Sequence, residues 1–184
     1  LLLLLTFILG LSGCSNSVSN SKKKNVSTTY VEENDNVIYF AGGCFWGIEH
    51  LMQSIPGVID AESGYANGTG EKDAVYETVI KGKTGFRETV RVVFDPEQVS
   101  LDALLLAYFY VIDPTVENRQ GNDIGTHYQT GVYYTNEQAK EAVESGKAFN
   151  KFKEMISAQG GNPEVVEDYE LFKHPKNIQE VYAD

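Results

Sequence analysis

A short apolar run, Asn36-Val37-Ile38-Tyr39-Phe40-Ala41, leads directly into Gly42-Gly43. Beyond the glycines, apolar residues recur at helical spacing, at Ile48, Leu51, Met52 and Ile55. A strand that turns into a helix across a glycine break constrains this chain more than any other feature. The glycines let the backbone bend there and let another molecule approach closely. The only cysteine of the globular part and the only tryptophan stand at this junction, in Ala41-Gly42-Gly43-Cys44-Phe45-Trp46-Gly47. Where a helix begins, backbone N–H groups are unpaired and the helix dipole favours negative charge. Such a place favours the thiolate of Cys44, which is the reactive form. The plainer alternative is an inert buried thiol, because free cysteine is commonly buried.

The first 36 residues differ sharply from the rest. Residues 1–11 are almost wholly apolar and too short for a confident membrane span. They read as the apolar region of a secretory signal whose charged start and initiator Met are missing, so the chain is expected to be incomplete. Leu11-Ser12-Gly13-Cys14 then resembles the lipobox of bacterial lipoproteins, in which the cysteine becomes the lipidated N-terminus. An ordinary secretory cleavage site is the alternative. Residues 1–14 are therefore a signal segment with Cys14 as the lipidation site, and two acyl chains there would anchor stably. Residues 15–36, rich in Ser, Asn and Lys, read as a flexible tether. The expected location is extracytoplasmic and membrane-anchored.

A single domain is expected over residues 37–184, since 42% of the chain is hydrophobic and no second linker interrupts it. The net charge of −11, with no basic stripe, argues against a nucleic-acid partner. Two cysteines with separate fates leave no disulfide framework. His50 and His174 show no ligand spacing with the cysteines, so no metal site is expected.

Along the domain, residues 58–64 read as a strand entering a loop at 65–73. Residues 74–80 and 88–94 are two further strand candidates, the second with Val90, Val92 and Phe94 on one face, and 81–85 supply the turn. Ser100 can cap a helix over 101–112. The polar loop at 113–130 is too long for a simple connector and is a functional suspect. Residues 131–134 form a short strand. Thr135-Asn136-Glu137-Gln138 has the capping-box pattern before a helix running to about residue 158. Val165-Val166 suggests a last strand. Hairpin-like strands with segregated helices give an α+β fold, with helices packed over a mixed sheet.

Several blocks together resemble the peptide methionine sulfoxide reductases of the A type: Gly43-Cys44-Phe45-Trp46-Gly47; Ser63-Gly64-Tyr65; Thr84-Gly85 with Glu88; Val93-Phe94-Asp95-Pro96; and Arg119-Gln120-Gly121-Asn122-Asp123-Ile124-Gly125-Thr126-His127-Tyr128. They occur in family order over roughly residues 37–158. The resemblance implies a two-layer α+β sandwich with a ferredoxin-like centre and a reductase of methionine S-sulfoxide, free or in proteins. It makes residues 37–184 the reductase domain and Cys44 the nucleophile at sulfur. Glu88 becomes the proton donor for the departing oxygen, which requires a carboxyl held neutral until it donates. Tyr76 and Tyr128 fall where the family carries tyrosines that donate hydrogen bonds to the sulfoxide oxygen. Phe45 and Trp46 would form an apolar pocket for the substrate methyl, and Asp123 would position the polar loop and the substrate backbone.

The resemblance implies no bound cofactor. Many relatives carry resolving cysteines in the C-terminal tail or at the position of Ile80, and neither is present here. The sulfenic acid on Cys44 must then be reduced by an external thiol such as a thioredoxin-like protein. Position 86, often His in relatives, is Phe86, which makes the surroundings of Glu88 more apolar. The segment after Val165 lacks the Tyr-His-Gln run common among relatives. The expected partners are thus methionine sulfoxide in peptides and proteins, a thioredoxin-like reductant and a membrane, with the enzyme itself a monomer.

Two other readings remain. His127 could pair with Cys44 in a thiol hydrolase, which would need an orienting side chain for the imidazole. Alternatively, the chain is a lipoprotein without chemistry that binds partners through the 113–130 loop.

Overall fold

The structure is a computed structural model that describes residues 36–161 and 181–183. The signal segment with Cys14, nearly all of the tether and the strand expected at Val165-Val166 lie outside the described residues. The elements run β1 (Val37–Ala41), α1 (Phe45–Gln53), β2 (Val58–Ala66), α2 (Tyr76–Val79), β3 (Arg87–Phe94), α3 (Leu101–Val111), β4 (Arg119–Gln120), β5 (Asp123–Ile124), β6 (Gly131–Tyr134), α4 (Glu137–Ser145), α5 (Lys147–Ala158) and β7 (Val181–Ala183). Single 3-10 turns occur at Glu71–Asp73 and Thr126–Tyr128.

Among the described residues, five strands form one sheet in the order β6-β1-β3-β2-β7. Its four neighbouring pairs all run antiparallel, which refines the mixed sheet expected from sequence. Two split β-α-β units, β1-α1-β2 and β3-α3-β6, interlock to give the ferredoxin-like centre of an α+β fold. Period-two alternation assigns the faces. Ile38 and Phe40 of β1 join Val90, Val92 and Phe94 of β3 and Val132 and Tyr134 of β6 in the main core with all the longer helices. The alternate residues Val37, Tyr39, Ala41 and Tyr133 form a smaller cluster on the opposite face. With both faces covered, β1 is buried throughout.

Helix α1 buries Phe45, Ile48 and Met52, a spacing of one helical stripe. It ends at Ser54, whose amide bonds His50 O at 3.2 Å and whose hydroxyl bonds Leu51 O at 2.6 Å, just before Pro56 stops any continuation. Ser100 caps α3 as expected, accepting from Ala103 N–H at 3.2 Å. Phe109 of α3 stacks on Phe152 of α5 with ring centroids 4.5 Å apart.

Three expectations need correction. Residues 74–80 are not a strand: Thr78, Val79 and Ile80 donate back to Val75 and Tyr76, closing the single turn α2. Ala74 and Val79 are the buried residues of this segment, a spacing no strand face offers, and β2 already has β3 and β7 as partners. The strand β2 also runs past Gly64 to Ala66, because Tyr65 pairs with Glu88 and Ala66 with Arg87 across the ladder. Finally, the long helix after residue 136 is two helices. Asn136, not Thr135, caps α4 by accepting from Ala139 N–H at 2.7 Å. The chain then breaks at Gly146, where ψ is 169° and any Cβ would stand 2.2 Å from Ala142 O. Among the described residues no helix is long and apolar enough to cross a membrane.

One buried hydroxyl fixes the end of β1 that leads into the site. Tyr108 Oη donates to Ala41 O at 2.6 Å and accepts from Gly131 N–H at 3.2 Å, while its ring stacks on Phe40. Burial pushes this phenol far above the ordinary tyrosine range, so it stays a neutral donor. Tyr108→Phe should cost about 1–3 kcal/mol by leaving buried backbone groups without that partner. The expected result is a lower urea midpoint with an unchanged slope; an unchanged midpoint would contradict it.

Candidate active site

Cys44 occupies the N-cap of α1 with φ −61° and ψ 121°, and its side chain makes no capping hydrogen bond. The free thiol is half-buried and rests against the main core. Its carbonyl already accepts from Gly47 N–H at 3.1 Å, which starts the helix. The first amide inside the helix, Phe45 N–H, instead donates to Glu88 Oε2 at 3.1 Å. A carboxyl thus satisfies one of the orphan donors next to the cysteine.

The sheet puts Glu88 there. Along β3 the core-facing row is Glu88, Val90, Val92 and Phe94, so the carboxyl enters the face on which α1 lies. Glu88 is only 2% exposed, an unusual place for a carboxylate unless it has partners. Aromatic rings enclose this region. Phe45 lies 5.7 Å from Tyr65, and Tyr65 lies 6.4 Å from Phe86, measured between ring centroids. Phe86 is itself buried.

The long polar loop supplies the other wall. It carries the small hairpin β4-β5 and the Thr126–Tyr128 turn, so it is less irregular than its composition suggested. Tyr128 O accepts from Gly43 N–H at 3.1 Å, which ties the loop to the residue before Cys44. The Tyr128 phenol is pushed up to about 12, first by burial and then by negative charge on Glu88, Asp123, Tyr76 and Cys44. All four groups therefore lie within electrostatic reach of one hydroxyl. Asp123 also approaches the turn, its Oδ2 standing 3.9 Å from where a Cβ on Gly43 would be.

The structure thus brings together Cys44, Glu88, Tyr128, Asp123 and Tyr76. Tyr76 is 52% exposed at the start of α2. Phe45 and Trp46 stand side by side with ring centroids 5.8 Å apart; Phe45 is buried and Trp46 is 66% exposed. The pair therefore forms a wall whose outer half is the indole.

His127 is buried and lies 4.0 Å from the Tyr128 ring, centroid to centroid. Its Nδ1 makes no hydrogen bond among the described residues, so the orienting partner that a Cys–His hydrolase needs is not in place. Burial holds the imidazole below its ordinary range, with Asp123 opposing the effect. No cluster of His, Cys, Asp or Glu able to hold a metal occurs among the described residues. The side chain that sequence reasoning left without a role is Gln120. Its amide bonds a backbone seven residues away, at Asp113, and no spacing rule signals such a contact.

A family model described as peptide methionine sulfoxide reductase matches residues 36–167. The chain belongs to the peptide methionine sulfoxide reductase family. A peptide methionine sulfoxide reductase of Picrophilus torridus is 44% identical over 140 residues, covering 76% of this chain and 75% of that protein. One of Clostridium acetobutylicum is 46% identical over 110 residues, covering 60% and 67%. Among solved structures, methionine sulfoxide reductase A of Corynebacterium diphtheriae is 29% identical with a TM-score of 0.66, covering 83% of this chain and 71% of that one. The reduced form of Mxr1 from Saccharomyces cerevisiae is 28% identical with a TM-score of 0.65, covering 86% and 84%. Methionine sulfoxide reduction is accordingly the activity of this chain.

Buried His127 gives this reductase a measurable acid sensitivity. An unfolded chain protonates histidine near pH 6.5, whereas His127 takes the proton only at lower pH. The stability it contributes is full above about pH 6.5 and is lost as pH falls from there through the native value. His127→Gln should therefore shrink the drop in Tm between pH 7.5 and pH 5 relative to wild type. Equal drops in circular-dichroism melts would contradict this.

Proposed function

We propose that this protein reduces the S epimer of methionine sulfoxide, free or within polypeptides, through Cys44 as nucleophile. The observation that carries the assignment is the Phe45 N–H to Glu88 Oε2 bond, which holds a buried carboxyl beside the cysteine at the start of α1. The Cys44 thiolate attacks the sulfoxide sulfur and a sulfur–sulfur bond forms, while Glu88 gives its proton to the sulfoxide oxygen. The hydroxyls of Tyr76 and Tyr128 donate to that oxygen as charge grows on it, in the manner of an oxyanion hole. A phenol titrating at about 12 remains a donor throughout the physiological range. Phe45 and Trp46 receive the substrate methyl, and Asp123 holds the loop and the substrate backbone.

The oxygen then passes to Cys44, so methionine leaves and a sulfenic acid remains. The only other cysteine in the sequence is Cys14, which this reading assigns to the lipid anchor, so the sulfenic acid is resolved from outside. Two external thiol groups complete the cycle: one forms a mixed disulfide with release of water, and the other displaces Cys44. A thioredoxin-like protein supplies that pair. No resident cofactor enters the scheme.

The test is turnover of each sulfoxide epimer with dithiothreitol. Cys44→Ser should abolish reduction of the S epimer, and Glu88→Gln should lower kcat by a factor on the order of 10² to 10⁴. The Gln side chain can still accept from Phe45 N–H, so this variant is expected to fold. Activity surviving Cys44→Ser, or a fully active Glu88→Gln, would remove the proposed roles.

The same reading places the enzyme outside the cytoplasm on a lipid anchor. Its support is the apolar stretch at residues 1–11 followed by Leu11-Ser12-Gly13-Cys14. Cys14→Ala should move the protein from the membrane fraction to the soluble fraction. Unchanged fractionation would eliminate the anchor without touching the chemistry.

A further inference from the structure

The geometry points to Gln120 as a positioning residue that sets Cys44 against the loop carrying Tyr128; this deepens the reductase reading and rests on it. Two contacts meet on the turn before the cysteine, and a third ties Gln120 to Asp113. The Gln120 amide makes a two-point clamp on the backbone of Asp113, with Nε2 donating to Asp113 O at 3.0 Å and Asp113 N–H donating to Oε1 at 2.6 Å. The stem of the same side chain lies flat on Gly43, whose Cβ, if it had one, would stand 2.9 Å from Gln120 Cβ and 3.0 Å from Cγ. On the other side, Gly43 N–H donates to Tyr128 O at 3.1 Å.

Gly43 has φ +77°, a left-handed conformation that glycine adopts without steric cost. Nothing in the residue itself selects that conformation, so its neighbours must. Gln120 presses from one side, and the Tyr128 carbonyl holds the amide from the other. Asp113 in turn follows Ile112, the buried C-terminal cap of α3. The clamp therefore fastens the rigid end of α3, through Gln120, to the turn that aims the Cys44 sulfur. Gln120 touches no reacting atom in this scheme; it acts through Gly43.

Displacing a nucleophile by a fraction of an ångström lowers the rate of attack far more than it weakens substrate binding. Gln120→Ala should accordingly reduce kcat for the S sulfoxide about tenfold, with KM held within about twofold, because Phe45 and Trp46 ride on α1 and are not displaced. Loosening the turn should also make half-buried Cys44 react at least about threefold faster with iodoacetamide, mapped to that residue by mass spectrometry on the full chain. Should Gln120→Ala not fold, Gln120→Met, which keeps the stem and removes the amide, is read by the same two assays. Alkylation no faster than wild type, or a loss confined to KM, overturns the proposal. Absence of turnover in the wild type refutes the reductase reading instead, and the alkylation rate still decides the role of Gln120.

Discussion

The amide of Phe45 and the carboxyl of Glu88 meet at 3.1 Å although 43 residues of chain separate them, and the site is built outward from that contact. A helix that begins inside a protein must satisfy its first N–H groups, and a strand that buries a carboxyl must give it donors. Here each requirement meets the other. Splitting the pair would leave the buried Phe45 N–H without its acceptor at a cost of about 1–3 kcal/mol, so helix start and candidate acid are held in one geometry. The antiparallel register makes the meeting possible by setting Tyr65 opposite Glu88 and Ala41 opposite Thr89. The end of β1, the Gly42-Gly43 turn and the carboxyl therefore gather at one end of the sheet.

A second consequence is that the loop does not need to be rigid in itself. It is fastened at the turn by Tyr128 O, at the end of α3 by Gln120, and to Gly82 O by Thr126 Oγ1 at 3.4 Å. Asn118 N–H also reaches the buried Gln129 side chain. These ties pass through backbone groups, which explains how a polar, glycine-rich segment can hold its side chains in fixed places. The rings of Trp46 and Tyr76 stay exposed.

What could be read from sequence followed periodicity and caps. Val90, Val92 and Phe94 announced the face that Glu88 also shares, and Ser100 announced the start of α3. The Gly43-Cys44-Phe45 junction located the thiol because few backbones can pass from strand to helix so abruptly. Errors arose where tertiary context outweighed local pattern. Ala74, Tyr76 and Ile80 alternate like a strand, yet their backbone closes a helical turn that buries Val79. Gly146 interrupts a helical pattern as the C-cap of α4, in close approach to Ala142 O four residues back. Within the site, its place at the strand-to-helix junction pointed to Cys44 and the family resemblance to Glu88 and Tyr128, but nothing in the sequence indicates that a Gln120 amide would reach a backbone seven residues away.

The central claim is that the sulfoxide oxygen ends on Cys44. Protein reduced and freed of thiol is mixed with one equivalent of methionine S-sulfoxide in the presence of dimedone, and methionine and modified peptide are both counted. One methionine released per chain, with dimedone attached at Cys44, is the expected result. Methionine formed in that amount while Cys44 remains unlabelled would contradict the account.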